Sequence, residues 1–455
     1  MKFRKCLLCI IAMLLFSGMA FPQVVINLVP SSEIGPVKFM NAANNGPKGG
    51  NFGDYQALRI PYARTHDTPY RWSHTVDINQ IFPDWNANVN SPKSYDFTLT
   101  DELLEMMIKA GTKPFFRLGQ SIEHDTKKYG IYPPKNYKKW AKICEHIIRH
   151  YNEGWADGHQ WNIEYWEIWN EPDLDAPGDR WKTDPRCWGG SLEQFHEFYE
   201  VAAKHLKKCF PHLKIDGPAF ANPRKYAPPF LDYVKKTATP LDFFSWHMYH
   251  RRPVRVDEDV RKVREILDQI GFKDVESILN EWNYVRKWDE PDDYSARVRL
   301  GIKGAAFVAA IMCMCQNAPV DMLMYYDLRP AVSFNGAFSA YHYDILPAYW
   351  ALYYWADLVD SGTQVKAECA EKDIYTTAAK SVDGKLRLLL TRYNEDDSVK
   401  DLKEVTVAVP QGYKVASVRL TDSQKELNRS LDPAGEPLTL TLESNAVALV
   451  ELLPL

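Results

Sequence analysis

Between Val37 and Asp327 the chain alternates short apolar runs with longer stretches of helical period, eight times in succession. The runs are Val37–Asn41, Ile60–His66, Lys113–Leu118, Tyr165–Asn170, Lys214–Pro218, Phe243–Tyr249, Ser277–Trp282 and Met322–Asp327. Amphipathic stretches between them include Asp101–Ala110, Tyr137–Tyr151, Leu192–Cys209, Val256–Ile270 and Ala296–Cys315. Strands joined through helices pair in parallel, and eight such units in one run close on themselves. We therefore expect an α/β fold, a (β/α)8 TIM barrel over residues 24–356. Thr100 is the expected N-cap of Asp101–Ala110, with Asp101 and Glu102 facing the positive end of the helix. No G-x-G-x-x-G opens a helix, which removes support for a dinucleotide fold.

From about Gln364 the period changes to two. Asp373–Thr377, Lys385–Tyr393, Glu404–Val409, Lys414–Leu420, Leu438–Leu442 and Ala446–Leu452 read as strands, with Asp383-Gly384 and Gln411-Gly412 as turns. They predict an all-β sandwich over residues 357–455, to which Val24–Leu28 is a candidate extra strand. No Gly- or Pro-rich linker precedes it, so firm docking on the barrel is expected. At the other end, Lys2, Arg4 and Lys5 precede the apolar run Cys6 to Phe16, and Gly18 and Ala20 supply small residues for cleavage. That pattern is a signal peptide over residues 1–20, too short for a span of about 20 apolar residues. The expected location is the periplasm or the cell exterior, without stable membrane insertion. Cys144, Cys187, Cys209, Cys313, Cys315 and Cys369 then remain, an even number that permits disulfides. Cys144, Cys209, Cys313 and Cys315 fall in helical stretches that suit buried thiols. A net charge of −4 argues against nucleic acid or an anionic membrane held by charge alone. Nothing here sets the oligomeric state.

In a parallel barrel the C-terminal strand ends converge on one mouth, where catalytic residues gather. The fourth run finishes Trp166-Glu167-Ile168-Trp169-Asn170-Glu171-Pro172, and the seventh Leu279-Asn280-Glu281-Trp282-Asn283. A carboxyl shielded from water by aromatic rings has a raised pKa and can act as a general acid. A second carboxylate across the mouth can attack the anomeric carbon of a sugar. Carboxyls about 5–5.5 Å apart retain configuration, whereas about 6.5–9.5 Å admits a water and inverts it. The 14 Trp and 25 Tyr suit stacking on sugar faces, as they also suit a large core. No metal and no cofactor is expected. Cys144, His146 and His150 share a helix without His-Glu-x-x-His, and no Gly-x-Ser-x-Gly elbow occurs.

Ala63-Arg64-Thr65-His66-Asp67, Trp166 through Asp173, Trp246-His247-Met248-Tyr249 and Asn280-Glu281-Trp282-Asn283 together resemble glycoside hydrolase family 39, the β-xylosidase and α-L-iduronidase family of retaining barrels. The resemblance implies Glu171 as acid/base and Glu281 as nucleophile. It implies Asn170 as the partner of the substrate's 2-hydroxyl, and Arg64 as the cation that lowers the nucleophile's pKa. His66 would contact the bound sugar, while His247 and Tyr249 would border and orient the nucleophile. Trp282, Tyr326 and Asp327 are further candidate sugar contacts. The function implied is a secreted β-xylosidase-like enzyme acting on an oligosaccharide or glycoside by double displacement. An α-L-iduronidase-like or β-galactosidase-like specificity, or a carbohydrate-binding pseudoenzyme, is the alternative. The segment Tyr326-Asp327-Leu328-Arg329-Pro330 departs from the family's xylosidases, which carry paired acidic residues there. That leaves the sugar open, with Arg329 either a ligand for a uronic acid or a salt-bridge partner of a neighbouring Asp. The loop Asp173–Trp188 is expected to shape the leaving-group side.

Overall fold

The computed structural model describes residues 24–70, 73–331, 334–424, 426–433 and 437–455. The signal peptide expected over residues 1–20 lies outside the described residues. Eight parallel strands form a closed barrel in chain order: Ala42–Asn44, Tyr62–Arg64, Lys113–Leu118, Tyr165–Ile168, Lys214–Phe220, Phe243–Tyr249, Glu276–Asn283 and Met322–Tyr325. Closure comes where the eighth strand meets the first, with Tyr325 opposite Ala43. The first strand is Ala42–Asn44, not Val37–Asn41 as expected. Val37 instead donates its N–H to the Gly362 carbonyl, and Lys38 donates its own to the Gln316 side chain. The true strand reads Ala-Ala-Asn, with no β-branched residue to announce it.

The helices form an outer ring. Tyr137–Glu153 begins at Asn136, whose side chain accepts the Lys139 N–H at 3.0 Å, and ends at Gly154 in a left-handed conformation, φ 75°. Leu192–Cys209 begins on a capping box of Ser191 and Gln194. Thr100 does not cap its helix. That helix runs Thr98–Lys109, and the buried Thr100 hydroxyl donates to the Thr75 carbonyl at 2.6 Å. The stretch expected as one helix at Ala296–Cys315 is two, Asp293–Leu300 and Ile302–Gln316, bent by 76° at the extended Gly301. Among the described residues no single helix is long and apolar enough to cross a membrane.

A nine-stranded sheet makes the sandwich-like C-terminal module. Val24–Pro36 belongs to it, antiparallel to Thr363–Glu368 and parallel to Lys403–Ala408. Leu438–Leu442 alternates as expected, with its leucines buried and Thr439 and Thr441 exposed. Leu388, Val405, Leu440 and Val450 build the module's own core. Leu389, Val447 and Leu449 face the other way and join the barrel's core against Ile302–Gln316. That helix is apolar all round because it is covered on both sides. The six cysteines from Cys144 to Cys369 are free, with Cys209 and Cys369 only half-buried.

Inside the barrel, the rings of Tyr62, Phe115, Tyr165 and Phe243 pack with Ile278 in a lower apolar layer. Strand residues two apart share a face, so Phe243, Ser245, His247 and Tyr249 climb the inner wall together toward the mouth.

Candidate active site

The tips of the fourth and seventh strands both leave regular geometry. In the seventh, Leu279 pairs with Trp246 but Glu281 pairs with His247, so Asn280 is an inserted residue. The insertion gives Glu281 the inward face that strict alternation would have given Trp282. In the fourth, Trp169 and Glu171 adopt φ of 75° and 44°. Left-handed backbone costs a non-glycine residue roughly 1–2 kcal/mol. The neighbours hold it. Trp169 donates its N–H to the Leu118 carbonyl at 2.7 Å, Glu171 donates to Ala219 at 3.0 Å, and the Trp169 indole donates to Cys187 at 2.9 Å. Gly119 is needed here, since a Cβ would sit 3.1 Å from the Trp169 ring.

One carboxyl oxygen of Glu171, one of Glu281 and a ring nitrogen of His247 lie within 4.8 Å of one another. Glu281 is gripped: Arg64 Nη1 reaches one oxygen at 2.6 Å, and the Tyr249 hydroxyl donates to the other at 2.7 Å. Arg64 is fully buried and spends its remaining donors on Glu167 at 2.6 Å and the Asn170 side-chain oxygen at 2.6 Å. Asn280 donates to the second oxygen of Glu167 at 2.5 Å, and Asn44 donates to the Asn280 carbonyl at 2.8 Å. With its oxygen held by Arg64, Asn170 keeps its side-chain NH2 buried without a partner among the described residues. Glu171 has fewer attachments: His247 Nδ1 at 2.7 Å and the Cys187 thiol at 3.9 Å.

Burial raises the Glu171 carboxyl to about 7, with Arg64 opposing and Asp67 adding to the rise. Burial also raises Glu281, where the charges of His247 and Arg64 and the Tyr249 hydrogen bond oppose it and Glu171 adds to it. The expectation that Arg64 holds Glu281 below its ordinary value is thus corrected: the pull exists, but desolvation outweighs it. Burial pushes His247 down to about 4 and His66 well below its usual range, so both rings are neutral near pH 7. The lasting cation beside Glu281 is Arg64. A divalent ion at Glu171, His247 and Glu281 would have to sit against that guanidinium, which argues against a metal there.

Arg64, His66, Asn170, His247, Tyr249 and the two glutamates are brought together. His247 differs in detail from its expected role, lying 2.7 Å from Glu171 and 3.5 Å from Glu281. Trp282 is not a cleft residue. Its ring turns outward onto Phe307 and Tyr325, as the register shift beside it dictates. Tyr326 lines the cleft, but Asp327 is buried below it, pairing with Arg329 and accepting from Asn45 at 3.1 Å. Sequence reasoning missed Glu167, Asn280 and Asn44, which carry Arg64, and Cys187, Trp288 and Phe334 around the cleft. Glu167 had one signal, standing two residues after the inward-facing Tyr165 and so on the same inward face. The cleft holds about 1280 Å³, above the roughly 300–1,000 Å³ of pockets for single small ligands.

A closed parallel barrel with two buried carboxyls meeting at its C-terminal mouth has the architecture of a barrel glycosidase. The sequence profile of glycosyl hydrolases family 39 matches residues 55–367, and the chain belongs to that family. A beta-xylosidase of Caldicellulosiruptor saccharolyticus is 30% identical over 166 residues, covering 34% of this chain and 31% of that protein. A beta-xylosidase of Geobacillus stearothermophilus is 23% identical over 366 residues, covering 71% of this chain and 67% of that protein. Among solved structures, a glucosidase from Croceicoccus marinus superposes with a TM-score of 0.76 at 21% identity, covering 95% of this chain and 99% of that one. A monomeric beta-xylosidase from Caulobacter crescentus CB15 gives 0.70 at 20% identity, with 95% and 99% covered. These structural likenesses speak for the fold.

Proposed function

We propose that this chain is a retaining glycosidase in which Glu171 is the acid/base and Glu281 the nucleophile. The observation that carries the reading is their separation, with carboxyl oxygens within 4.8 Å, in unequal surroundings. That spacing suits direct attack and falls short of the wider gap that an inverting water requires. In the first step a Glu281 oxygen bonds to the anomeric carbon as the glycosidic bond breaks, and Glu171 gives its proton to the departing oxygen. In the second, Glu171 takes a proton from water, whose oxygen displaces Glu281 and releases the sugar with its configuration kept. A carboxyl at about 7 is protonated often enough near neutrality to start this cycle. The buried Asn170 NH2 is a donor free to bind a sugar hydroxyl. Two such carboxyls would gain a pseudoenzyme little.

For substrate, we propose a β-xylosidase-like activity, supported by the beta-xylosidases among the relatives. A uronic-acid specificity is disfavoured because Arg329 is already occupied by Asp327, the Asp67 carbonyl and the Tyr326 hydroxyl. A panel of aryl xylosides, glucosides, galactosides and iduronides, with NMR of the first-formed anomer, tests both points. We expect release from the β-xyloside with the β-anomer appearing first. The α-anomer first, or no release from any member, would overturn the reading. Export rests on the basic and apolar residues within 1–20. Sequencing the mature N-terminus should find cleavage near Ala20, and an intact Met1 in exported protein would sink that part.

A further inference from the structure

Two arginines line the cleft. Arg329 is occupied by Asp327, as described. Arg186 is not: its Nε is buried without a partner among the described residues, and no carboxylate pairs with its guanidinium there. The Arg186 side chain is half-buried and lines the cleft, so an anion bound there can pair with it without displacing a protein carboxylate.

Its position is also held firmly. The buried Asp175 carboxylate accepts three successive backbone N–H groups, from Arg186 at 2.8 Å, Cys187 at 2.7 Å and Trp188 at 3.2 Å. On the other side the Arg186 carbonyl accepts the Glu123 N–H at 2.9 Å, tying the loop after the fourth strand to the loop after the third. The next residue, Cys187, touches Glu171. Arg186 therefore stands on the acid/base side of the cleft, and its charge acts on Glu171. The groups acting most on Glu281 are His247, Arg64, Glu171 and Tyr249. Because Glu171 hands its proton to the departing oxygen, whatever lies on its side is the leaving group.

We propose that Arg186 forms a subsite for an anionic substituent, a carboxylate or a sulfate, on the leaving-group side of the cleft. The glycosides this enzyme cleaves best carry a negative charge beyond the scissile bond. This rests on the catalytic reading of Glu171 and Glu281 above. The guanidinium offers planar, paired donors that match either anion.

The probes are aryl glycosides of the sugar found in the panel above, with 4-hydroxybenzoate, its methyl ester or 4-hydroxybenzenesulfonate as the leaving group. Arg186→Met should lose about tenfold or more in kcat/KM on the carboxylate, the sulfonate or both, and less than twofold on the ester. Arg186→Lys should recover part of that loss. The carboxylate-to-sulfonate ratio in the wild type names the preferred anion. An equal loss on all three probes would overturn the subsite and make Arg186 structural. If the wild type fails on the ester as well, the catalytic reading has failed. Turnover of the ester with no charge dependence removes only the role of Arg186.

Discussion

The two sides of the cleft hold the same side chain in different ways. Glu281 is met by two charge-stabilising donors, Arg64 and Tyr249, and through Arg64 it is tied to Glu167, Asn170 and Asn44. Glu171 is met by a neutral imidazole and a thiol. Burial penalises both charges, so the donors decide which carboxyl gives up its proton first. In the proposed cycle the gripped one is ionised and the loosely held one carries the proton. The lesson concerns partners rather than depth: desolvation raises both groups, and at Glu281 the neighbouring charges, then the Tyr249 hydrogen bond, oppose that rise.

The strongest way to break this asymmetry is to delete each carboxyl in turn. Glu281→Gln should lower kcat on every substrate by on the order of 10⁴-fold or more, since no covalent intermediate can form. Glu171→Ala should cost roughly 10²–10⁴-fold on alkyl glycosides. On a dinitrophenyl glycoside it should still release one equivalent quickly before turnover slows, because that leaving group needs no proton. A fast first equivalent from Glu281→Gln instead would reverse the two roles.

Much of this was legible in the sequence, for a physical reason. Parallel strands buried on both faces need continuous apolar runs, and runs such as Phe243–Tyr249 and Lys113–Leu118 match the observed strands end to end. The first strand was misplaced because Ala42-Ala43-Asn44 has little strand propensity and is set by its neighbours. The helix Pro223–Thr237 was hidden by Pro228 and Pro229 inside it. In the site, Glu171 and Glu281 were visible as carboxyls at strand ends framed by aromatic residues, whereas Arg64 was marked only by the likeness to family 39. Trp282 was misassigned because periodicity cannot reveal an inserted Asn280, and that one residue decides which neighbour faces the sugar. Glu167 was passed over because a carboxylate inside an apolar strand has no meaning until Arg64 stands opposite it.

A smaller effect is expected on the Glu281 side. The Tyr249 hydrogen bond favours the ionised nucleophile, so its loss raises the Glu281 pKa. The acid limb of the kcat/KM profile, where Glu281 must lose its proton, should move to higher pH in Tyr249→Phe. A hydrogen bond to a charged group is worth about 1.5–3 kcal/mol, or roughly one to two pH units at most. The basic limb, near pH 7 from Glu171, should stay where it is. Movement of the basic limb instead would mean that Tyr249 serves the acid/base.

The smallest effect belongs to the other side. Burial pushes the Cys187 thiol well above its usual range, so it stays neutral and is only a weak donor to Glu171 at 3.9 Å. Cys187→Ser puts a better donor in the same place, and a better donor favours the ionised form. The Glu171 pKa should fall from about 7, and the basic limb should move to lower pH by about one unit or less. Below that limb the rate should barely change. Cys187→Ala keeps the surroundings apolar, and its limb should match the wild type. If alanine moves the limb as far as serine does, packing rather than hydrogen bonding sets the Glu171 pKa, and the two carboxyls differ in shielding instead of in partners.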